Sequence, residues 1–259
     1  MAAACWTKLA EMTRLSMYVD GWNFYYSLKG AGIQEYGWCN FPMLAKQQTS
    51  EKDAEVKVKY FTSVDKPNKE KIDRQTSIWW TALDFMKCDI IKGEFRDTIE
   101  EIEDHNRLVS QKWREKQTDV ALASHMVKDC SQIDPGQQPG TFLWSPGFDR
   151  AILLTRDTDF IPAVRIASRE PFNRKVLVLL PPSGSAFQEN ADHAWKQEGS
   201  TKVSIKPLQL ADLERALLPK VVEGPAGKNV ECYRSWMWRE KYESDIAWRR
   251  KPPAKNPRR

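Results

Sequence analysis

Four aspartates are the residues of this sequence whose positions point most directly to chemistry: Asp20, Asp119, Asp157 and Asp159. Asp20 follows the apolar run 15–19, and Asp157 and Asp159 follow the apolar run 151–154. If both runs are parallel strands, their acids meet at the carboxyl edge of one sheet, where ligands bind in such folds. Carboxylates gathered there repel one another unless cations lie between them. The pattern therefore predicts a divalent-metal site.

Each of these motifs also has an ordinary structural interpretation. Asp20-Gly21 is typical of a turn, and Thr118-Asp119 is typical of a helix N-terminus, with an acid that complements the helix dipole. Asn23 has the residue type that caps a first helix. Only the combination of the four acids with two strand ends favours a functional site.

Cysteine and histidine offer no alternative ligand set. The five cysteines form no close pair and the three histidines are scattered, which excludes a disulfide framework and a zinc site. Carboxylate ligands favour hard cations, so the expected metal is Mg²⁺ or Mn²⁺. The first 17 residues have no apolar signal-peptide core, and no apolar run is long enough to span a membrane, so we expect a cytoplasmic protein.

Strand and helix patterns alternate along the chain. Strands are predicted at 15–19, 56–61, 89–91, 151–154, 176–180 and 203–205, and helices after Asp20 and at 69–85, 118–127, 160–168, 188–197 and 211–217. In the helix from Thr118, Val120 and Leu122 are among the residues expected to face inward. The charged stretch 95–116 is interpreted as a helix or an insertion. Alternation of this kind predicts an α/β fold with a parallel sheet flanked by helices.

Composition divides the chain into three parts. We expect an N-terminal extension over 1–14, one α/β domain over 15–223, and a basic, Trp-rich C-terminal extension over 224–259 whose end is disordered. Residues 228–259 carry ten Lys or Arg against four acids, a net +6 in a chain of net +5. Such a tail suits nucleic acid, a protein partner or a homo-oligomer contact, and its tryptophans equally suit a helix lying on the domain.

Three segments in order resemble the motifs of NYN domains, which belong to the PIN-like nuclease superfamily. They are the segment 17–26 (MYVDGWNFYY), the segment 115–123 (EKQTDVALA) and the segment 153–162 (LLTRDTDFIP). The resemblance extends from about Leu15 to Leu218. It implies a Rossmann-like PIN fold and a Mg²⁺- or Mn²⁺-dependent nuclease that acts mainly on RNA.

The resemblance also implies roles for individual residues. Asp20, Asp119, Asp157 and Asp159 would form the metal cluster, Asn23 would orient a ligand, a water or the substrate phosphate, and Thr155 would assist by hydrogen bonding. Arg156 departs from the family, which usually has Gly there, and would either grip phosphate or narrow the pocket. His125 stands where Asp is more usual, and a partly buried helix histidine with one hydrogen bond is its ordinary interpretation.

The expected reaction is phosphodiester hydrolysis by metal-activated water. Trp22 is the aromatic residue predicted to stack an unpaired base. Lys92, Arg96, Lys116 and Arg156 are candidate phosphate contacts, with a solvated charged face as the alternative. RNA is the expected substrate, and single-stranded DNA is also compatible with these features.

Two other functions compete with the nuclease. One is a non-catalytic RNA-binding or interaction module with a decayed site, which the Arg156 and His125 departures favour and the four acids oppose. The other is a phosphohydrolase of the haloacid-dehalogenase type, suggested by Asp157-Thr-Asp159. That type needs its Asp-x-Asp motif on the first strand, whereas here the motif follows the fourth, and it leaves Asp20 unexplained.

Overall fold

The computed structural model describes residues 13–50, 54–64, 74–101, 109–131, 147–183, 188–197 and 201–232. Its strands are β1 Arg14–Asp20, β2 Glu55–Ser63, β3 Asp89–Glu101, β4 Val109–Lys116, β5 Arg150–Leu154, β6 Lys175–Leu180, β7 Val203–Pro207, β8 Val221–Glu223 and β9 Asn229–Glu231. Its α-helices are α1 Gly21–Gly30, α2 Phe41–Gln47, α3 Trp80–Phe85, α4 Thr118–Cys130, α5 Ile161–Ser168, α6 Gln188–Lys196 and α7 Leu210–Arg215. A π-helical turn, Arg74–Trp79, leads into α3.

Seven strands form one sheet in the order β4-β3-β2-β1-β5-β6-β7. The pairings among β1, β2, β3, β5, β6 and β7 are all parallel, and β4 is antiparallel to β3. The predicted α/β class and the six predicted strands are confirmed. Because the chain runs outward from β1 in both directions, the strand order reverses between β1 and β5. Ligands of open α/β sheets bind at such a reversal, outside the carboxyl ends of the strands.

Both faces of the sheet are covered. Met17 and Val19 of β1 are buried against α1, α2, α3 and α7 on one side, while Tyr18 is buried with residues of α4, α5 and α6 on the other. Since successive side chains of a strand point to opposite faces, a central strand covered on both sides must be apolar throughout. This is why the unbroken apolar runs in the sequence predicted the central strands correctly.

β3 and β4 form the element that departs most from the sequence-based expectation. The helix interpretation of 95–116 is wrong: β3 runs for 13 residues and pairs with β4 from Glu94–Lys116 to Glu101–Val109. Ile91 is level with Phe61 and Asp20 across the sheet. The remaining ten residues of β3 continue past this level, and from Glu94 onward they pair only with β4 among the described strands. We refer to the paired strand segments 92–101 and 109–116 as the projecting hairpin.

A small second hairpin, β8–β9, follows α7. Val222 and Val230 are buried in the same apolar core as α1. At the turn, a Cβ on Gly224 would lie 2.2 Å from the ring of Phe85, so only glycine allows the hairpin to sit this close to α3. The predicted domain boundary after Glu223 lies inside this hairpin.

Two further details differ from the sequence analysis. The helix α2 was not predicted, although Asn40 accepts a hydrogen bond from the Met43 amide at its start and Pro42 occupies its first turn, a recognisable start signal. Val120 does not face inward: it is 69% exposed, because it lies on the opposite side of α4 from the buried Leu122 and Met126. The predictions for residues 1–12 and for the tail from residue 233 fall outside the described residues. Among the residues described, no helix has the length and apolar character needed to cross a membrane.

Candidate active site

Asp20 is the last residue of β1 and the N-cap of α1. Its Oδ1 accepts a hydrogen bond from the backbone N–H of Asn23 at 3.0 Å, and its Oδ2 accepts one from the Thr155 hydroxyl at 2.9 Å. A Cβ on Gly21 would lie 2.7 Å from the Phe61 carbonyl oxygen, so the chain turns from strand to helix with no room for a side chain. The Asp-Gly pair is thus a strand-to-helix junction that fixes a carboxylate at the sheet edge.

The loop after β5 carries the second group of acids. The hydroxyl of Thr155 accepts the backbone N–H of Asp157 at 3.0 Å while donating to Asp20, and Thr155 has no exposed surface. Asp157 Oδ1 in turn accepts the N–H of Asp159 at 2.9 Å. Thr155 therefore positions two carboxylates and leaves no surface of its own for substrate.

Asn23 links the two halves of the site. Its Oδ1 accepts the backbone N–H of Arg156 at 2.9 Å, which joins α1 to the loop after β5. The capping role considered for Asn23 is wrong, because Asp20 is the N-cap and Asn23 supplies the amide that it binds. Among the residues described, the Asn23 Nδ2 group has no hydrogen-bond acceptor.

Electrostatic coupling shows that the acids are neighbours. Burial raises the pKa of Asp20 to about 7, and the charges of Asp119 and Asp157 add to this effect against the two hydrogen bonds that Asp20 accepts. Loss of water around its carboxyl group also raises the pKa of Asp119, as do the charges of Asp157 and Asp159. Asp119 lies in the first turn of α4, which begins two residues after the end of β4. These charge effects thus connect Asp20 with Asp119 and Asp157, and Asp119 with Asp157 and Asp159.

The guanidinium of Arg156 is paired with groups of the protein itself. Its Nε donates to the Pro181 carbonyl oxygen at 2.5 Å, and its Nη1 forms an ion pair with Asp192 of α6 at 2.6 Å. Its carbonyl oxygen accepts the Trp195 indole N–H at 3.4 Å, and its side chain is 13% exposed. These contacts favour a positioning role, in which Arg156 fixes the loop that carries Asp157. Asp192 was not predicted as a site residue, and the strand-end signal that identified the other acids does not extend to it.

The remaining predicted contacts lie on the side of β2 and β3. The indole N–H of Trp22 donates to the Ser63 hydroxyl at 2.7 Å, and Lys92 Nζ lies 4.3 Å from the ring centroid of Trp80. Arg96 and Lys116 belong to the projecting hairpin, in backbone register with Arg114 and Glu94 respectively. Lys92 therefore has an aromatic neighbour, and Arg96 and Lys116 are placed by backbone register alone.

His125 lies apart from the acids. Its Nδ1 is 3.4 Å from Lys59 Nζ, and partial burial together with the charge of Lys59 lowers the pKa of the imidazole. Its ring contacts Phe61 edge to face. These contacts are those of a partly buried helix histidine, the ordinary interpretation of this residue.

The donor chemistry of the site suits a hard divalent cation. All four candidate ligands are carboxylates. A bound cation would offset the like charges that, added to burial, raise the pKa values of Asp20 and Asp119. Within the described ranges, however, no three His, Cys, Asp or Glu side chains are placed to hold a metal ion by themselves.

No family model matches the sequence, and no curated protein or solved structure matches it either. The chemistry assigned to the site therefore rests on its own residues.

Proposed function

We propose that this protein is a metal-dependent nuclease with a Rossmann-like, PIN-like fold, acting on RNA and compatible with single-stranded DNA. The observation that carries the proposal is that the buried Asp20 lies at the reversal of the strand order, where burial raises its pKa to about 7 and the charges of Asp119 and Asp157 add to that effect. A buried carboxylate close to other acids is costly, and such perturbed groups cluster at functional sites. The motifs that resemble NYN domains supply the same four residues.

In this proposal the aspartates bind the metal, and Thr155 and Asn23 position the segments that carry them. Asp20 and Asp157 would hold one Mg²⁺ or Mn²⁺, and Asp119 or Asp159 would contribute to a second. Such an ion supplies an activated water and neutralises charge on the phosphoryl oxygens. Thr155 and Asn23 hold the two carboxylate-bearing segments in fixed relation, through the bonds from Thr155 to Asp20 and from Arg156 N–H to Asn23. No side chain is required as a nucleophile.

A cleavage assay with labelled RNA and DNA pools tests this function. We expect hydrolysis of RNA with Mn²⁺ or Mg²⁺ and none with EDTA. Asp157→Asn should lower the cleavage rate by about 10²–10³-fold, because a transition-state contact of ~3–4 kcal/mol is lost. The fold should persist, because the substitution removes a like charge from the site.

Asp84→Asn is the matched control. Asp84 is an exposed carboxylate on α3, which leads into the start of β3 and so lies toward the opposite edge of the sheet. This variant should cleave like the wild type. Activity that survives in EDTA, or full turnover by Asp157→Asn, would contradict the proposal.

A non-catalytic RNA-binding module is the second candidate. It is favoured by the finding that the described carboxylates do not by themselves form a metal-holding group. RNA binding without cleavage, whichever metal is added, would support this non-catalytic function and contradict the nuclease. The buried thiols of Cys39, Cys88 and Cys130, which form no disulfide, suit the reducing cytoplasm under either function.

A further inference from the structure

A pair of stacked aromatic rings lies beside the acids. Trp22 and Tyr26 are one helical turn apart on α1, with ring centroids 5.6 Å apart and an interplanar angle of 21°. Tyr25 packs edge-on against both, at 6.2 Å from Trp22 and 5.3 Å from Tyr26. Tyr26 is 58% exposed, which is a large exposure for an aromatic side chain. We refer to Trp22 and Tyr26 as the stacked ring pair.

The position of Trp22 at the sheet edge is fixed. Its indole N–H donates at 2.7 Å to the hydroxyl of Ser63, the buried last residue of β2. Ser63 lies two residues beyond Phe61, which is level with Asp20. The stacked ring pair therefore begins at the carboxyl edge, next to the acids, and extends along α1 toward solvent.

The neighbouring strand adds positive charge on the same side. Ser63 is in register with Gly93, the residue after Lys92. Lys92 contacts Trp80, which belongs to the same apolar core as α1. Farther along the projecting hairpin, Arg96 of β3 is in register with Arg114 of β4. Lys112 and Lys116 lie two residues before and after Arg114 on β4. The strand beside the one that anchors Trp22 thus continues into a strand pair that carries these basic positions.

We propose that the stacked ring pair binds an unpaired base of the nucleic-acid strand whose phosphate lies at the carboxylates. This inference rests on the proposed function and narrows its substrate class to single-stranded RNA or single-stranded regions of RNA. Aromatic side chains bind unpaired bases through their ring faces and do so without regard to sequence. Bases within a duplex are stacked on one another and cannot reach such a ring.

An RNA occupant accounts for these features better than a protein partner does. The surface is a ring pair anchored to the edge that carries the acids, and the adjacent β3–β4 pair carries Lys and Arg positions that suit a polyanion. A protein-binding patch would need a broader apolar surface. If RNA is the occupant, the affinity for an RNA strand should depend on its bases, and a site for a protein partner would show no such dependence.

Binding is measured in EDTA, where no metal-dependent cleavage occurs, by fluorescence anisotropy with three strands of equal length. They are a single-stranded RNA, the same RNA in a duplex, and a phosphodiester strand that carries no bases. Tyr26→Ala should weaken binding of the single-stranded RNA at least about fivefold and change binding of the base-free strand less than about twofold. Tyr26→Trp should retain the affinity of the wild type.

Ile166→Ala is the matched control, because Ile166 is 45% exposed on α5, which packs on the other face of the sheet. It should leave all three affinities unchanged. The inference is overturned if Tyr26→Ala leaves RNA affinity unchanged, or if it weakens the base-free strand equally. Because the assay involves no cleavage, a base-dependent effect without nuclease activity would overturn only the proposed function. Cleavage by a wild type whose RNA affinity does not depend on Tyr26 would overturn only this inference.

Discussion

At the scale of single residues, Asp20 is where charge and burial oppose each other most strongly. Its side chain is almost completely buried, and two of its neighbours, Asp119 and Asp157, are also acids. In the metal-free protein, the fold therefore favours the protonated form of Asp20, since its pKa rises from 3.8 to about 7. A proton bound more tightly by the folded state makes stability depend on pH.

Between pH 4 and pH 7 the unfolded chain ionises Asp20 while the folded protein keeps the proton. The free energy of unfolding therefore falls as the pH rises. The loss levels off about one pH unit above the folded-state pKa and is on the order of 4 kcal/mol. Asp20→Asn should remove this contribution. The variant should then be more stable than the wild type at pH 8 in EDTA and nearly equal to it at pH 4.

Urea unfolding of both proteins across this pH range measures the effect. Groups far from the site contribute equally to both proteins, so the difference between the two curves reports Asp20 together with the acids coupled to it, Asp119 and Asp157. A second series with Mn²⁺ should stabilise the wild type and leave the variant nearly unchanged, because the cation would have lost a ligand. Parallel stability curves in EDTA would show that Asp20 ionises normally in the folded state.

The site could be predicted from sequence only as far as local signals reach. Asp20, Thr155 and Asp157 follow strongly apolar strands, and the carboxyl ends of parallel strands meet at one edge. Asp192 contacts Arg156 across 36 residues. That contact depends on how α6 returns to the sheet, which no local pattern specifies. Hence Arg156 was predicted as a phosphate contact, whereas in the structure its guanidinium is paired with Asp192.

At the scale of elements, the sequence predicted the buried strands and left the exposed hairpin unresolved. A strand covered on both faces must be apolar throughout, so β1, β5 and β6 are visible as unbroken runs. The projecting hairpin extends past the sheet, and its charged sequence offers no such run. Its few apolar residues, such as Phe95, Ile99 and Trp113, stand among charged residues without a regular apolar period, so no local pattern identified the strands.

The position of α4 matters because this helix carries Asp119. A buried polar cluster ties its C-terminal half to the sheet: Asp129 Oδ2 lies 2.5 Å from Lys59 Nζ of β2 and accepts the Tyr18 hydroxyl of β1 at 2.7 Å. Burial raises the pKa of Tyr18, with the charge of Asp129 adding to the effect, so the hydroxyl stays a donor. All three side chains are nearly inaccessible to solvent.

Removing one partner of this cluster should be costly. Asp129→Asn leaves the buried Lys59 ammonium without a counter-charge, and we expect a destabilisation of about 3–5 kcal/mol. Adding Lys59→Met should recover most of this loss, since no unpaired charge remains and the new amide oxygen still accepts the Tyr18 hydroxyl. Urea unfolding of the two single variants and the double variant measures the coupling. Additive losses would mean that the two side chains do not stabilise each other.

At the scale of the whole molecule, charge is separated along the chain. Residues 233–259 carry nine Lys or Arg against three Asp or Glu, a net +6, which leaves −1 for residues 1–232. A body with an acidic site has little net attraction for a polyanion. RNA affinity should therefore depend on the tail and on the basic positions of the projecting hairpin.

The β8–β9 hairpin decides where the tail can be removed without harming the fold. A chain ending after Pro225 loses β9, and with it the buried Val230 and the bond from the Cys232 amide to the Lys220 carbonyl. That truncation should lower the melting temperature whatever the tail does. A chain ending after Cys232 keeps both hairpin strands and removes only residues 233–259.

We expect the chain that ends after Cys232 to melt like the full chain and to bind RNA at least about tenfold more weakly, across all sequences. Its affinity should depend less on salt, because each lost Lys or Arg contact lowers the slope by about 0.7 for a single strand. Cleavage at saturating RNA should persist, since all four aspartates remain. Thermal melts with anisotropy titrations from 50 to 200 mM salt measure both effects.

If the tail packs on the domain, the chain that ends after Cys232 should melt at a lower temperature than the full chain. Unchanged melting with an unchanged salt slope would show that the tail neither contacts RNA nor supports the fold.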